Sequence, residues 1–311
     1  MSFSTPILVA GGETPAGAAL AARCRQTGRP VAVLSASDTD DWRDEAAVEA
    51  AIRSVQPRFM VVTAGESGGI ALNRAHPALL VESNLRVVLH VLGAAARLRV
   101  SRLLYLASSC CYPRDAPQPL QPSSLGTGPF EPTNAPYSAA KTAGLFFCRS
   151  IAAEHGLDFF SAIPSTVYGP EDHFDPDRAH VVTGMLRRMH EAKRNGDPSF
   201  PVWGTGAPRR DFLFSRDLAD ACLFLGDLPS PPPSPIHIGP GTALSIAEVA
   251  AAVRRVVGYP GEIVFDASKP DGAPVKYLDA SPLLSLGWSP SVPFETGLAE
   301  TYAALCSRWV P

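Results

Sequence analysis

Tyr137 and Lys141 stand one helical turn apart in Pro136-Tyr137-Ser138-Ala139-Ala140-Lys141. On a helix the two side chains leave the same face. A free phenol ionises near ~10 and trades its proton poorly at neutral pH, whereas an ammonium alongside favours the phenolate. Upstream, Leu106-Ala107-Ser108-Ser109-Cys110 ends an apolar run with a hydroxyl able to donate to the same substrate carbonyl. A lone Tyr-x-x-x-Lys also arises as a surface pair, and a serine after a strand also serves as a turn or cap. The catalytic reading requires that the fold bring all three groups to one crevice.

The elements that would do so are legible as short apolar runs separated by helical patterns. Pro6-Ile7-Leu8-Val9-Ala10 runs into Gly11-Gly12-Glu13-Thr14-Pro15-Ala16-Gly17 and then an alanine-rich helix to about Gly28. Strand, glycine turn and helix in that order read as the first unit of a dinucleotide-binding fold. Further strands are predicted at 31–34, 59–63, 103–107 and 159–163, with helices at 45–55 and 77–98 between them. The Tyr137 helix follows, with Pro136 suited to its first position and Asn134 to its cap. This alternation predicts an α/β fold: a Rossmann-type doubly wound parallel sheet with a smaller C-terminal lobe. Ligands of such sheets bind at the carboxyl ends of the strands. There the sequence places Gly11, Ala64-Gly65, Ser108-Ser109-Cys110 and Ser165-Thr166.

After Tyr168-Gly169-Pro170 the loops become rich in Pro, Asp and Arg, and the elements shorten. A helix is expected at about 179–194, strands near Val202 and Phe212, and helices near 216–226 and 245–257. Leu228 to Pro235 is too proline-rich for a helix or central strand and reads as a surface connector. The predicted division is a dinucleotide-binding domain over 1–170 with a returning segment at about 214–247. A substrate-binding lobe would take 171–213 and 248–311.

The 311 residues, 46% of them hydrophobic and 18% charged, suffice for a large buried core. A net charge of −3 argues against a nucleic-acid or membrane-surface role. Six cysteines lie without framework spacing, no signal peptide is recognisable, and no apolar run is expected to reach membrane-spanning length. The expectation is a soluble protein of the reducing cytoplasm, with no metal site.

Longer motifs carry a resemblance. They are Ser108-Ser109-Cys110-Cys111-Tyr112-Pro113, Glu131-Pro132-Thr133-Asn134-Ala135-Pro136-Tyr137 and Lys141-Thr142-Ala143-Gly144. Val167-Tyr168-Gly169-Pro170, His180-Val181-Val182, Val202-Trp203-Gly204, Phe265-Asp266-Ala267-Ser268-Lys269-Pro270-Asp271-Gly272 and Leu286-Gly287-Trp288 follow in order. With these the chain resembles the extended short-chain dehydrogenase/reductases, and among them the GDP-L-fucose synthases. These are 3,5-epimerase/4-reductases acting on GDP-4-keto-6-deoxymannose with NADP(H).

The resemblance implies that Ser108, Tyr137 and Lys141 form a reductase triad and that Cys110 and His180 are an epimerase acid/base pair. The chemistry is coherent: the hydrogens at C3 and C5 flank the C4 ketone, so removing either gives an enolate that Ser108 and Tyr137 can stabilise. Inversion then needs a base on one face and an acid on the other, and a thiol and an imidazole are both tunable to neutral pH. The implied cofactor contacts are Gly11, Thr14, Gly17, Asp38, Asp44, Ala64, Tyr137, Lys141, Pro164 and Val167. The implied substrate contacts are Thr166, Arg188, Trp203, Arg210, Asp271 and Lys276, with guanidinium groups suited to a pyrophosphate and an indole to stacking. A homodimer through the helices near 84–98 and 137–155 is also implied.

The nucleotide end departs from the family. Thr14 replaces the middle glycine of the fingerprint and adds bulk where the backbone should approach a pyrophosphate. Glu13 and Ser35-Ala36-Ser37-Asp38 stand where arginines would read a 2′-phosphate, and an acid there favours NAD(H) over NADP(H). Thr166 replaces an asparagine. Two alternatives therefore remain beside the epimerase/reductase: a relative using NADH on another nucleotide-linked keto-deoxysugar, and a non-catalytic nucleotide-binding regulator.

Overall fold

The computed structural model of the chain describes residues 5–176, 178–269 and 271–308; Pro270, in one of the motifs above, lies outside them. Ile7–Ala10 (β1) is buried along its whole length, which explains its unbroken apolar sequence: a strand covered on both faces has no polar side to alternate with. It lies between Val31–Leu34 (β2) and Phe59–Val62 (β3), parallel to both. Arg102–Leu106 (β4) and Asp158–Pro164 (β5) extend the sheet beyond β3, and a late strand, Ile236–Ile238, adds to β5. The chain leaves β1 outward to β2 and returns across it to β3. That reversal opens a crevice at the carboxyl ends of β1 and β3.

Helices cover both faces. Pro15–Gln26 (α1) packs on one side. Glu45–Val55 (α2), Pro77–Arg86 (α4), Gly93–Arg97 (α5) and Ala135–His155 (α6) cover the other, with the short Ile70–Ala75 (α3) ahead of α4. Between α4 and α5 the helix widens to π geometry over Val87–Leu92 without breaking. The continuous Pro77–Arg97 is, by length and composition, apolar enough to cross a membrane, which corrects the expectation that no such run exists. Half of that stretch is buried inside the fold, against the core that α6 also covers.

The second lobe begins at Thr166–Tyr168 (β6). It holds Val181–Asn195 (α7), Ser199–Trp203 (β7), Arg209–Arg210 (β8) and Phe212–Phe214 (β9). Ser215–Asp227 (α8) and then Ile236–Ile238 (β10) carry the chain back to the first lobe, where α8 packs with α1. Leu244–Ser245 (β11), Ile246–Val257 (α9), Glu262–Asp266 (β12), Val275–Lys276 (β13), Ser281–Ser285 (α10) and Phe294–Arg308 (α11) complete the chain. Leu186 and Met189 of α7, Val249 and Val253 of α9, and Leu298 and Leu305 of α11 form this lobe's own core. Asp217 of α8 ties the lobes together, accepting from the backbone N–H groups of Ser291 at 2.9 Å and Val292 at 3.1 Å.

Candidate active site

The glycine turn after β1 is built for close approach. Gly11 has φ +104°, and a Cβ there would sit 2.4 Å from the Ala64 nitrogen; one on Gly17 would meet the Gly11 carbonyl at 2.0 Å. Thr14 occupies the middle position of this turn. It is the N-cap of α1: its hydroxyl accepts from Gly17 N–H at 3.0 Å and lies 2.8 Å from the Gly11 carbonyl, to which it donates. With Pro15 at the helix start, the turn is closed by a side chain rather than left open by a third glycine.

Ser108 follows β4, and Tyr137 and Lys141 rise from the first turns of α6 into the same cavity of about 320 Å³. Lys141 is buried, with Nζ 3.3 Å from the Ala64 carbonyl and 3.5 Å from the Leu106 carbonyl. Those oxygens, at the ends of β3 and β4, fix the ammonium between the strands. The spacing predicts that the lysine draws the phenol toward phenolate. In this structure enclosure governs both groups. Burial lowers Lys141 to about 8. Enclosure pushes the Tyr137 phenol up, as does the Cys110 thiol nearby, while the Ser108 hydroxyl bonded to it pulls the other way. Asn134 sits at the cap position of α6 but does not cap it; its Nδ2 reaches the Cys110 sulfur at 3.2 Å, and its Oδ1 accepts from Ser138 at 3.2 Å.

Cys110 lies on the short turn after Ser108, with Lys276 Nζ 3.9 Å from its sulfur. Lys276 and Arg210 are register partners on β13 and β8, so the sheet delivers two cations side by side to the cavity. His180 is the N-cap residue of α7 and also lines the cavity. Its Nδ1 lies 3.0 Å from Oδ1 of Asp172, a buried carboxylate that also accepts from the His173 N–H at 2.8 Å and the Thr183 hydroxyl at 2.9 Å. Hydrogen bonding to Asp172 raises the imidazole above its ordinary range, against the burial that would lower it. Thr166, Pro164 and Val167 line the same space.

Sequence reasoning missed Asp172 and took Asn134 for a helix cap. The signal for Asp172 was thin: an acid in a proline-rich loop, eight residues before a histidine, has no periodicity to mark it.

Other expected contacts are not brought into the cavity. Asp38 accepts from Ser35 N–H at 2.7 Å and Asp44 caps α2 through Ala47 N–H at 2.9 Å, so both carboxylates serve local turns. Glu13, Ala36, Asp41 and Trp42 instead line a narrow groove leading away from Thr14 and Pro15. Arg178, from the second lobe, spans this groove to pair with Glu66 at 3.2 Å. Arg188 bonds the Pro201 carbonyl at 2.7 Å and lies over the Phe200 ring, Trp203 is 70% exposed, and Asp271 accepts from Thr205 N–H at 2.9 Å. These three stand on the β7–β12 side of the second lobe, outside the cavity lining. Among the described residues no cluster of His, Cys, Asp and Glu could hold a metal ion.

One crevice thus joins a glycine turn, a Ser/Tyr/Lys set and a Cys/His pair beneath two cations. Residues 7–239 match the NAD dependent epimerase/dehydratase family. A relative described as a probable GDP-L-fucose synthase 1 of Oryza sativa subsp. japonica is 41% identical, covering 95% of this chain and 90% of its own. The chain belongs to the GDP-L-fucose synthases of the NAD dependent epimerase/dehydratase family. Among solved structures, a GDP-6-OMe-4-keto-L-xylo-heptose reductase from C. jejuni superposes with a TM-score of 0.90 at 28% identity, covering 99% of both chains. A GDP-L-fucose synthetase from Naegleria fowleri bound to NADP gives 0.90 at 26% identity, covering 99% of this chain and 94% of its own. The family is NAD(P)-dependent, and the steric demands of Gly11 and Gly17, the Lys141 ammonium at the strand ends and the open crevice fit a dinucleotide here.

Proposed function

We propose that the chain is a bifunctional epimerase/reductase that inverts C3 and C5 of a GDP-4-keto-6-deoxyhexose and reduces C4, giving GDP-L-fucose or a close relative. The observation that carries it is one cavity lined by Ser108, Tyr137 and Lys141 together with Cys110 and His180. A bound nicotinamide supplies the hydride. Ser108 and Tyr137 hold the C4 oxygen, and the phenol gives it a proton during reduction. The Asn134 amide and the Lys276 ammonium both meet the Cys110 sulfur, which fixes it in place to remove a proton from carbon. An acceptor holds His180, which suits an imidazolium that returns a proton to the opposite face. Between the two transfers the charge rests on the C4 oxygen. Arg210 and Lys276 would meet the pyrophosphate, with Thr166 nearby; Arg188, Trp203 and Asp271 would serve the nucleoside end only if the β7–β12 side closes over it.

We further assign NADH as the preferred cofactor. The groove continuing from the glycine turn carries Glu13 and Asp41 as well as Arg178, whose guanidinium is paired with Glu66, so a 2′-phosphate there would compete with that carboxylate for the cation. The protein would work in the reducing cytoplasm, consistent with six free cysteines, and as a homodimer through the exposed Leu89 and Phe146 of the helices at Pro77–Arg97 and α6.

The test is purified protein in deuterated water with GDP-4-keto-6-deoxymannose and either cofactor. Deuterium at C3 and C5 with faster oxidation of NADH is expected. No exchange and no nucleotide oxidation would sink the reading, and exchange at C5 alone would point to a 3-deoxy substrate.

A further inference from the structure

His180 stands where two effects work against a charged imidazole. It caps the N-terminus of α7, where the helix macrodipole is positive, and it is partly withdrawn from water. Left to these, the ring would be neutral and free to present either nitrogen to the cavity. Asp172 opposes both. Its carboxylate has a side-chain exposure of only 3% and is fixed by the His173 N–H and the Thr183 hydroxyl before it meets His180 Nδ1. A buried carboxylate held by two other donors cannot swing away from its third.

We propose that Asp172 is the positioning residue of the inversion step, holding His180 by Nδ1 so that Nε2 delivers the proton to carbon. The inference rests on the epimerase reading above. The proton taken by the Cys110 thiolate leaves carbon as the C–H bond breaks, and its electron pair moves onto the C4 oxygen. The electron pair then returns to form a bond with the proton leaving Nε2, and the ring becomes neutral with Nδ1–H still on Asp172. Exchange with solvent restores imidazolium and thiolate. The charged and titratable groups around His180 are Asp172 and His173 on its own loop, Arg178 with Glu66 at the groove, and Cys110, Tyr137, Lys141, Arg210 and Lys276 around the cavity. Of the acids among these, Asp172 is the one in contact with the ring.

Asp172→Asn keeps the shape and removes the charge; its amide N–H can also donate to Nδ1 and so favour the wrong tautomer. With imidazole-labelled protein, the His180 resonance, identified by its loss in His180→Gln, should titrate with a midpoint at least one unit lower in Asp172→Asn. Deuterium wash-in at C3 and C5 should fall about 10²-fold. Because the acid must be protonated, the falling limb of the exchange profile should move to lower pH. Hydride transfer to a substrate that already carries the inverted centres should stay within about threefold, a range under ~0.7 kcal/mol. On a His180→Gln background, Asp172→Asn should add no further loss.

An unmoved His180 midpoint, an equal fall in exchange and reduction, or a further loss on the His180→Gln background would each overturn the proposal. Should Asp172→Asn fail to fold, Thr183→Val removes one of the donors fixing the carboxylate; it should slow exchange several-fold with reduction unmoved, and an unchanged exchange rate would overturn the proposal. Wild-type protein that exchanges no deuterium while its His180 midpoint still depends on Asp172 would remove the epimerase reading and leave the Asp172–His180 coupling standing.

Discussion

Lys141 shows how a single residue can be held against its own solvation. Its folded-state value of about 8 lies below the ~10.4 of a free lysine. Between those values the unfolded chain binds the extra proton, so stability rises with pH across that window and the penalty is fully present below about 8. Lys141→Met should therefore raise the unfolding free energy at pH 7 by about 1–2 kcal/mol, after allowing for two carbonyls that lose their donor. The gain should shrink between pH 8 and 10.4 in urea titrations, while C4 reduction falls by about 10³-fold. Cys110→Ser should show the complementary pattern, losing about 10²–10³-fold in C3 and C5 exchange with reduction of a pre-inverted substrate retained. Tyr137, Lys141 and Ser108 were legible because their spacing is tied to helix and strand geometry. Asp172 was not, because its meaning comes from a loop folding back on a helix start. Asn134 was legible only as a cap, since the thiol it meets is distant in sequence.

Among the elements, α6 carries the site by pressing one face onto β4. At Gly144 a Cβ would fall 2.4 Å from the Tyr105 ring, so the helix lies closer to the strand than any larger residue permits. Glycine inside an exposed helix ordinarily gives way to alanine with a gain of roughly 1 kcal/mol. Here Gly144→Ala should instead destabilise by about 1–3 kcal/mol, measured by thermal or chemical unfolding. It should also slow reduction, because lifting α6 from β4 moves Tyr137 and Lys141 away from Ser108. The strands and most helices were readable from apolar runs and glycine punctuation. The π-helical stretch at Val87–Leu92 was not, since its sequence, Val-Val-Leu-His-Val-Leu, reads as any apolar helix.

For the whole molecule, the nucleotide end is where the order along the chain and the arrangement in space read differently. Thr14 reads as added bulk along the chain and serves as a helix cap in space. Asp38 reads as the acid nearest the ribose, yet a tight left-handed turn through Asp40, Asp41 and Trp42 presents Asp41 to the groove instead. No local pattern announces three successive left-handed residues without glycine. Cofactor preference should appear as a global effect. At equal concentrations NADH should raise the melting temperature more than NADPH, in proportion to the logarithm of ligand over dissociation constant, about 2.7 kcal/mol at a hundredfold excess. Glu13→Arg should narrow or reverse that order.

Cys110 follows a strand of the first lobe, whereas His180 begins a helix of the second. Ser108, Tyr137 and Lys141 all belong to the first. On the proposed roles, the reduction apparatus sits whole in one lobe while the inversion apparatus is divided between the two. The relative rates of the reactions then depend on how firmly the lobes are held in register. Loosening the tie between Asp217 and the Ser291–Val292 backbone would let premature reduction trap sugars with unturned centres. The stereochemical purity of the product would thereby report how well the two lobes are held together.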